Sequence, residues 1–489
     1  MKVLGINCLN HDAAISVVEN DKILFAGHAE RYSRKKNDKY LNDDLVNEAL
    51  SFGQPDAIAY YEKPWLKKTR QFYAGQYKEC FNTANLPSNY LKKWFGDQKI
   101  NYINHHKSHA ASGYYTSKFN NAIVLVIDGI GEWDVVSVWL GKENKLKKIS
   151  TIRYPHSLGL FYTAVTKAVD LKPCEEEYIL MGMSGWGKDQ YSEKLKSDFF
   201  RKDKLLKLNF NLHKGIGNYG KDFKNFDFAA SAQKVIEYYI ERIVRDLRTK
   251  FPNINNLVYS GGVALNCVAN GKILHKYYEN VWIMPNPGDA GSSIGCALAL
   301  TEKRVNWEGP FLGTNIEGKY PVKEALDMLD KREIFGIANG RAEFGPRSLG
   351  NRSLLADPRG EKVKDQVNTI KKRQKFRPFA PAVLKEKANK IFDLPVSNIP
   401  YMQYTAKCKY PELYPAICHV DNTSRVQTVT KEDNEGFYNL LTQFYKKTGC
   451  PILVNTSLNI KGEPIVNNEK DSKDFEKYYN VKVLNKSDS

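Results

Sequence analysis

Ala122-Ile123-Val124-Leu125-Val126-Ile127-Asp128-Gly129 runs six apolar residues into an acidic residue and a glycine, the pattern of a buried strand that ends in a polar turn. The same strand-turn succession surrounds Gly5-Ile6-Asn7 near the start of the chain. Each copy is followed by further strand-like runs, Ala14 to Val18 and Ile23 to Ala26 after the first and Val135 to Leu140 after the second. This repetition points to a duplicated α/β unit. Additional apolar runs at Ala57 to Tyr61, Asn256 to Tyr259 and Val281 to Met284 extend it, and Ala229 to Lys250 carries the three-and-four spacing of an amphipathic helix. From Thr301 to Tyr320 periodicity fades into Pro, Gly and Asn, which reads as a linker. The expected domains are therefore 1–310 and 311–489.

The chain has 489 residues, 42% hydrophobic and 26% charged, a composition that excludes wholesale disorder and collagen-like structure. A length of this order favours two or three folding units. No run approaches the roughly 20 apolar residues of a membrane span, and the N-terminus lacks a signal-peptide pattern, so a cytoplasmic location is expected. Eight cysteines without CxxC spacing are too sparse for a disulfide scaffold. The net charge of +18 favours a polyanion or a phosphorylated substrate, against the alternative of a merely lysine-rich surface.

Two segments stand apart. Lys63 to Lys99 interleaves Trp65, Phe72, Tyr73, Tyr77, Tyr90 and Trp94 with basic residues, and Lys188 to Lys224 is rich in lysine and aromatics. Such a mixture can stack on and neutralise a nucleic acid. The alternative is aromatics packed inward with solvated lysines outside.

Three groups of residues can carry chemistry. In Asn104-His105-His106-Lys107-Ser108-His109, a helix would set His105 and His109 on one face, as two imidazole ligands would stand. With Asp128 and Asp289 they compose a His2Asp2 set suited to iron, manganese or zinc; packing or capping is the alternative. Glycine turns after strands, with Gly129 in one and Gly261, Gly262 and Asn266 in another, can cradle phosphates through backbone N–H groups. In Gly340-Arg341-Ala342-Glu343-Phe344-Gly345-Pro346-Arg347-Ser348-Leu349-Gly350-Asn351-Arg352-Ser353 and the stretch around Lys371 to Pro381, arginines held by Gly and Pro turns suit phosphate recognition. Arg425, Asn455 and Ser457 add donors to that anion site, which offers no general base and so acts by positioning and charge.

The ordered set HDAA, HHKSHAAS, VIDGIGEWD, SGGVALNCVANGK, PGDAGSSIG, GRAEFGPRSLGNRS, KFRPFAP and NTSLNIKGEP resembles the O-carbamoyltransferase family, over about residues 2 to 470. The resemblance implies an α/β fold: a two-lobed domain of the actin-like ATPase superfamily, similar to threonylcarbamoyl transferases, followed by a YrdC-like α/β domain. It implies that the second domain hydrolyses carbamoyl phosphate to carbamate and joins it to ATP, with Mg2+, as carbamoyl-adenylate, and that the first transfers the carbamoyl group to a hydroxyl. By the same resemblance His105, His109, Asp128 and Asp289 hold Fe2+ or another divalent metal. His11 stands near the acceptor as general base with an ordinary pKa, and Asp227 is an acceptor-side carboxylate or an N-cap. Arg347, Lys371, Arg377, Arg425, Asn455 and Ser457 hold carbamoyl phosphate or the adenylate, Arg347 and Arg377 foremost. Where relatives often read EYKLMGLAPYG, this chain has Glu177-Tyr178-Ile179-Leu180-Met181-Gly182-Met183-Ser184-Gly185-Trp186-Gly187, which argues against an antibiotic-like acceptor. Charge and aromatic interleaving instead suggest an anionic acceptor, a hydroxymethylated pyrimidine (5-hydroxymethylcytosine) in DNA or as a nucleotide. A sugar or natural-product hydroxyl, or a non-catalytic nucleic-acid-binding relative, are the alternatives. No membrane partner is expected, and self-association into a homo-oligomer stays open.

Overall fold

Short apolar runs broken by polar turns fold the first residues into three antiparallel strands, β1 (Lys2–Asn7), β2 (Ala14–Glu19) and β3 (Lys22–His28). The computed structural model describes residues 1–487, so the last two positions of the expected second domain lie outside the described residues. Strands β4 (Ala57–Tyr60) and β5 (Ile100–Tyr102) join parallel to β1, giving the order β3-β2-β1-β4-β5. The stretch quoted first becomes β6 (Asn121–Ile127), paired antiparallel with β7 (Asp134–Lys142), which pairs in turn with β8 (Lys145–Arg153). Strands β9 (Asn256–Ser260) and β10 (Asn280–Trp282) then run parallel beside β6. The second sheet therefore reads β8-β7-β6-β9-β10, the order of the first. The two sheets thus repeat one strand order, the duplicated α/β arrangement expected from the sequence.

Two helices pack against each other in this unit, His105–Thr116 and Ser292–Thr301. Their approach depends on the absence of a side chain: a Cβ on Gly295 would lie 1.9 Å from the Ser108 carbonyl oxygen. The second helix also lies on β1, where a Cβ on Gly5 would meet the Ser293 carbonyl at the same distance.

Compact packing groups Met1–Ala29 with Asn37–Trp307 in one unit, and Glu30–Lys36 with the chain from Glu308 onward in the other. A seven-residue piece of the N-terminal region thus belongs to the second unit. The segment from Thr301 to Tyr320 is not wholly a linker, because β11 (Phe311–Ile316) forms there and pairs with β13 (Gly340–Glu343). Partners distant in sequence satisfy its backbone, which local periodicity does not register. The main sheet of this unit combines β12 (Phe335–Ala338), β14 (Arg352–Ala356), β15 (Ala380–Leu384), β19 (Gln427–Val429), β20 (Ile452–Ser457) and β21 (Val483–Leu484) in the order β19-β15-β20-β14-β12-β21. A smaller sheet holds β16 (Phe392–Asp393), β17 (Thr405–Cys408) and β18 (Thr423–Arg425). Leu354, Ile452, Val454, Leu440 and Phe444 are among the fully enclosed side chains that pack the helix Glu435–Thr448 onto the sheet. Among the described residues no helix is long and apolar enough to cross a membrane.

Candidate metal centre and anion site

Asn104 starts the helix His105–Thr116 by accepting the Lys107 N–H on its side chain, an ordinary N-cap. Glu132, in the turn after Asp128, accepts the His105 N–H at 2.9 Å and the Asn104 amide at 2.8 Å. A carboxylate at a helix N-terminus satisfies donors that the helix cannot, and here it ties the helix to the turn. His105 and His109, one helical turn apart, thereby face Asp128 at the end of β6 and Asp289 before the helix Ser292–Thr301.

The four ligand atoms lie within 4.8 Å of one another, and all four residues are buried. Nε2 of His105 is 3.1 Å from Oδ2 of Asp128 and 3.6 Å from Oδ1 of Asp289. Nε2 of His109 is 3.3 Å from Oδ1 of Asp289 and 3.0 Å from Nε2 of His105. Two imidazole nitrogens so close, aimed at one point between two carboxylates, fit a divalent cation with nitrogen and oxygen ligands. Outer contacts orient the set. Ser292 Oγ is 3.2 Å from His109 Nδ1, and the Gly262 N–H donates to Asp128 Oδ1 at 3.0 Å. Such outer contacts fix which ring nitrogen faces the metal. The donor set suits iron, manganese or zinc, and nothing in it selects iron.

Charges explain how the cluster holds together by itself. Burial opposes a charge on His105, but Asp289, Asp128 and Glu132 outweigh it and raise its pKa to about 9. Burial likewise opposes charge on Asp289, and His11, His105 and His109 overcome it and hold the carboxyl at about 2. His105 and His11, both with raised pKa values, balance the carboxylates, and a bound cation would replace the proton on His105.

His11 lies at the edge of this cluster, with Nδ1 2.9 Å from Asp12 and Nε2 3.4 Å from Asp289. Its expected ordinary pKa needs correction: although burial lowers it, Asp289 and Asp12 raise it to about 10. Two carboxylates at contact distance stabilise the imidazolium. Asp227 stands in the first turn of the helix Asn225–Lys250, where the N-cap position belongs to Lys224, so the N-cap alternative does not hold. The Asp227 carboxylate accepts the Lys188 N–H at 2.7 Å and anchors the segment that begins there.

The glycine turns adjoin the cluster. Gly261 has φ +90° and lies against Ile127, where a Cβ would come within 2.3 Å of its carbonyl oxygen. Gly129 leaves open space where a side chain would be, and its carbonyl accepts the Ser157 hydroxyl at 2.6 Å. The Asn266 side chain is engaged inside the fold, capping the helix Cys267–Ile273 through Ala269 N–H and pairing with the Gln233 amide at 2.9 and 3.1 Å.

In the second unit the arginines of the Gly340 to Ser353 stretch divide into two kinds. Arg352 is fully enclosed and donates to the carbonyls of Asn467, Asn339, Gly340, Asn351 and Thr314 at 2.9 to 3.1 Å. Arg341 likewise donates to the Gly313 and Leu312 carbonyls. These two hold the fold, and Arg347, half-buried in the loop between β13 and β14, is the arginine of the stretch placed at the loop. Glu343 shapes that loop by accepting the N–H groups of Leu349, Asn351 and Arg352 on one oxygen, and Arg31 donates to the Gly345 carbonyl at 2.9 Å. Neither signal was legible in sequence, since Arg31 reaches the loop across more than 300 positions.

Lys371, Ser457 and Asn455 come together around β20. The Lys371 ammonium donates to the Ser457 carbonyl at 2.5 Å and to the Asn459 carbonyl and side chain at 2.8 and 3.0 Å. Burial, with the charges of Arg373 and Arg377, pushes it well below its ordinary pKa. Asn455 donates to the Ser348 carbonyl and the Gln427 side chain, while its own Oδ1, the Ser348 hydroxyl and the Arg425 Nε are enclosed without hydrogen-bond partners. Buried polar atoms left unpaired are costly, and Lys371 stands within the influence of two further cations, Arg373 and Arg377.

Residues 2–298 match the family described as Carbamoyltransferase N-terminus, and residues 326–487 match Carbamoyltransferase C-terminus. The chain belongs to the carbamoyltransferase family. This carbamoyltransferase-family chain is 35% identical to uncharacterized protein sll1178 of Synechocystis, over 96% of the chain and 93% of the relative. It is 31% identical to nodulation protein NolNO of Sinorhizobium fredii, over 95% and 76% respectively. It is 26% identical to the 3'-hydroxymethylcephem-O-carbamoyltransferase of Amycolatopsis lactamdurans, over 94% of both. A solved structure of full-length HypF in its phosphate- and nucleotide-bound form aligns with 62% of the chain and 55% of its own, at 15% identity and a TM-score of 0.36.

Proposed function

We propose that this carbamoyltransferase is an ATP-dependent O-carbamoyltransferase. The second unit hydrolyses carbamoyl phosphate with one water to carbamate and phosphate, and joins the carbamate oxygen to the α-phosphorus of ATP with loss of pyrophosphate. Carbamoyl-adenylate then gives its carbamoyl group to an acceptor hydroxyl at the first unit, AMP leaving and the hydroxyl proton passing to a base. The observation that carries this reading is the convergence of His105, His109, Asp128 and Asp289 beside His11. A divalent cation held by those four would supply Lewis-acid stabilisation of developing negative charge. His11 is protonated beside Asp12 and Asp289; with Asp289 neutralised by a cation it releases that proton to solvent, and the neutral ring can then accept the acceptor's proton. Arg347, Arg377 and Arg425, with Lys371, Asn455 and Ser457 beneath, bind and orient the phosphates of the carbamoyl donor and ATP. Backbone N–H groups of the Gly129 and Gly261-Gly262 turns cradle the adenylate phosphate.

The acceptor in this reading carries negative charge, a hydroxymethylated pyrimidine in DNA or as a nucleotide. The charge of +18 supports it, and so does the outward placement of aromatics on the helix Pro64–Tyr73 and the residues after it. Trp65, Tyr73 and Phe81 are 66%, 67% and 70% exposed, while Lys67 is bound to Glu62 and Lys68 to the backbone of Cys80. Tyr90 and Trp94, later in the segment, are half-buried and hydrogen-bonded to Leu41 and Asp43. In Lys188 to Lys224, Phe199 and Phe200 are buried whereas Phe210 is exposed. The relative named for a cephem hydroxymethyl supports a primary hydroxyl as the general target.

The test is incubation with ATP, carbamoyl phosphate and Fe2+, Mn2+ or Zn2+, with hydroxymethylcytosine DNA and its mononucleotide offered separately. A carbamoyl mass gain accompanied by AMP is expected. AMP and pyrophosphate without acceptor modification would retain the adenylate chemistry and remove the acceptor, and absence of both would remove the reading. Binding to DNA that did not weaken with salt would remove the polyanion component.

A further inference from the structure

The two segments set apart as basic and aromatic in the sequence meet at Tyr154, whose ring faces Arg70. Arg70 lies on the helix Pro64–Tyr73 and is only 5% exposed. Its Nε and Nη1 are enclosed and hydrogen-bond to nothing. The carboxylates that act on it electrostatically, Glu62 and Glu132, are committed elsewhere. Glu62 pairs with Lys67 at 2.8 Å. Glu132 accepts from Lys63 N–H, His105 N–H and the Asn104 amide. A buried guanidinium with no direct counter-charge is unfavourable by itself and becomes favourable when an oxyanion supplies the missing acceptors.

Aromatic and polar side chains stand around the guanidinium. The Tyr154 ring lies 5.9 Å from the guanidinium carbon. The Tyr73 ring, largely exposed, stands 5.5 Å from Trp133 and 6.5 Å from Tyr154. From the other segment, Asn211 donates to the Tyr154 hydroxyl at 2.5 Å and His213 Nδ1 is 3.3 Å from it. Burial and the Arg70 charge both disfavour protonation of His213. The place adjoins the metal centre, because Trp133 follows Glu132 in the chain and Tyr61, which Arg70 also senses, has its ring 5.3 Å from that of His105.

We propose that Arg70 and its aromatic walls form an acceptor subsite that takes an oxyanion, phosphate or carboxylate, joined to a flat ring or sugar face that stacks on Tyr73 and Trp133. This rests on the reading of the first unit as the acceptor side of carbamoyl transfer. Planar bidentate donors suit either oxyanion, and stacking on aromatic faces tolerates many rings.

The experiment uses the full chain carrying Arg347→Ala and Arg377→Ala, so that anions no longer occupy the second unit. Inorganic phosphate, phenyl phosphate, benzoate and neutral benzyl alcohol are titrated by calorimetry. Phenyl phosphate or benzoate is expected to bind at least tenfold more tightly than benzyl alcohol, the tighter of the two identifying the oxyanion. Adding Arg70→Gln is expected to weaken the anion at least tenfold. Tyr73→Ala, at an exposed side chain, is expected to weaken phenyl phosphate several-fold and leave inorganic phosphate unchanged. Equal binding of benzyl alcohol, no anion binding, or binding unaffected by Arg70→Gln would overturn the subsite. Should Arg70→Gln fail to fold, Tyr73→Ala decides, and unaltered phenyl phosphate affinity in it counts against the proposal. Carbamoyl-phosphate-dependent AMP formation by the unaltered chain is measured separately and reports on the functional reading alone.

Discussion

Arg347 and Arg352 stand five positions apart and illustrate how one residue type serves two purposes. Arg352 gathers five backbone carbonyls in a site closed to water, so Arg352→Met would strand those acceptors. Leaving those buried acceptors unpaired costs about 3 kcal/mol or more, and an unfolding free energy lowered by that amount in denaturant titration is expected. Arg347→Ala, at a half-buried loop position, is expected to shift stability by less than about 1 kcal/mol while abolishing AMP release. Equal destabilisation of the two variants would contradict the division. His275 gives a pH signature of folding. Burial lowers its pKa to about 4, so between about pH 6.5 and 4 the unfolded chain binds the extra proton. Stability is then complete above pH 6.5 and falls on acidification through this window. His275→Asn is expected to flatten the thermal midpoint against pH between 4 and 6.5, and an unchanged slope would contradict this.

At the scale of elements, the metal centre depends on two helices that approach more closely than side chains permit. Gly295→Ala would set a methyl group against the Ser108 carbonyl, on the turn between His105 and His109. Overpacking of this kind costs about 1–3 kcal/mol, and the displaced helix would carry both imidazoles away from Asp289. Reduced metal stoichiometry by elemental analysis is expected in Gly295→Ala, although no ligand is altered. Asp289→Asn is expected to lose the metal with the fold retained, and one bound metal in both variants would remove this account of the centre.

At the scale of the whole molecule, the second unit is discontinuous. Arg34 donates to the Ile465 and Pro464 carbonyls at 2.8 Å and contacts Asp471 at 3.2 Å, and Arg31 holds the Gly345 carbonyl. A fragment comprising 308–489 lacks both arginines and leaves these acceptors unpaired. It is expected to show a lower thermal midpoint than the same unit in the full chain, and Arg34→Ala in the full chain a smaller decrease. A fragment as stable as the intact unit would show that Glu30–Lys36 contributes nothing.

Much of the architecture was legible because strands with one buried face must carry regular apolar runs. The repeat of strand, turn and acidic residue around Asn7 and Asp128 announced the duplicated sheets, and the order of motifs announced the family. The four candidate metal ligands were readable from chemistry and spacing. Other features were set by tertiary structure alone. The strand Phe311–Ile316 forms because Gly340–Glu343 pairs with it, and Arg352 differs from Arg347 only in what encloses it. His11 owes its raised pKa to Asp289, a residue 278 positions away in sequence, just as Arg70 owes its unpaired state to carboxylates that bond elsewhere. Local sequence records a residue's own preferences, whereas burial, charge and hydrogen-bond satisfaction depend on which distant residues the fold brings beside it.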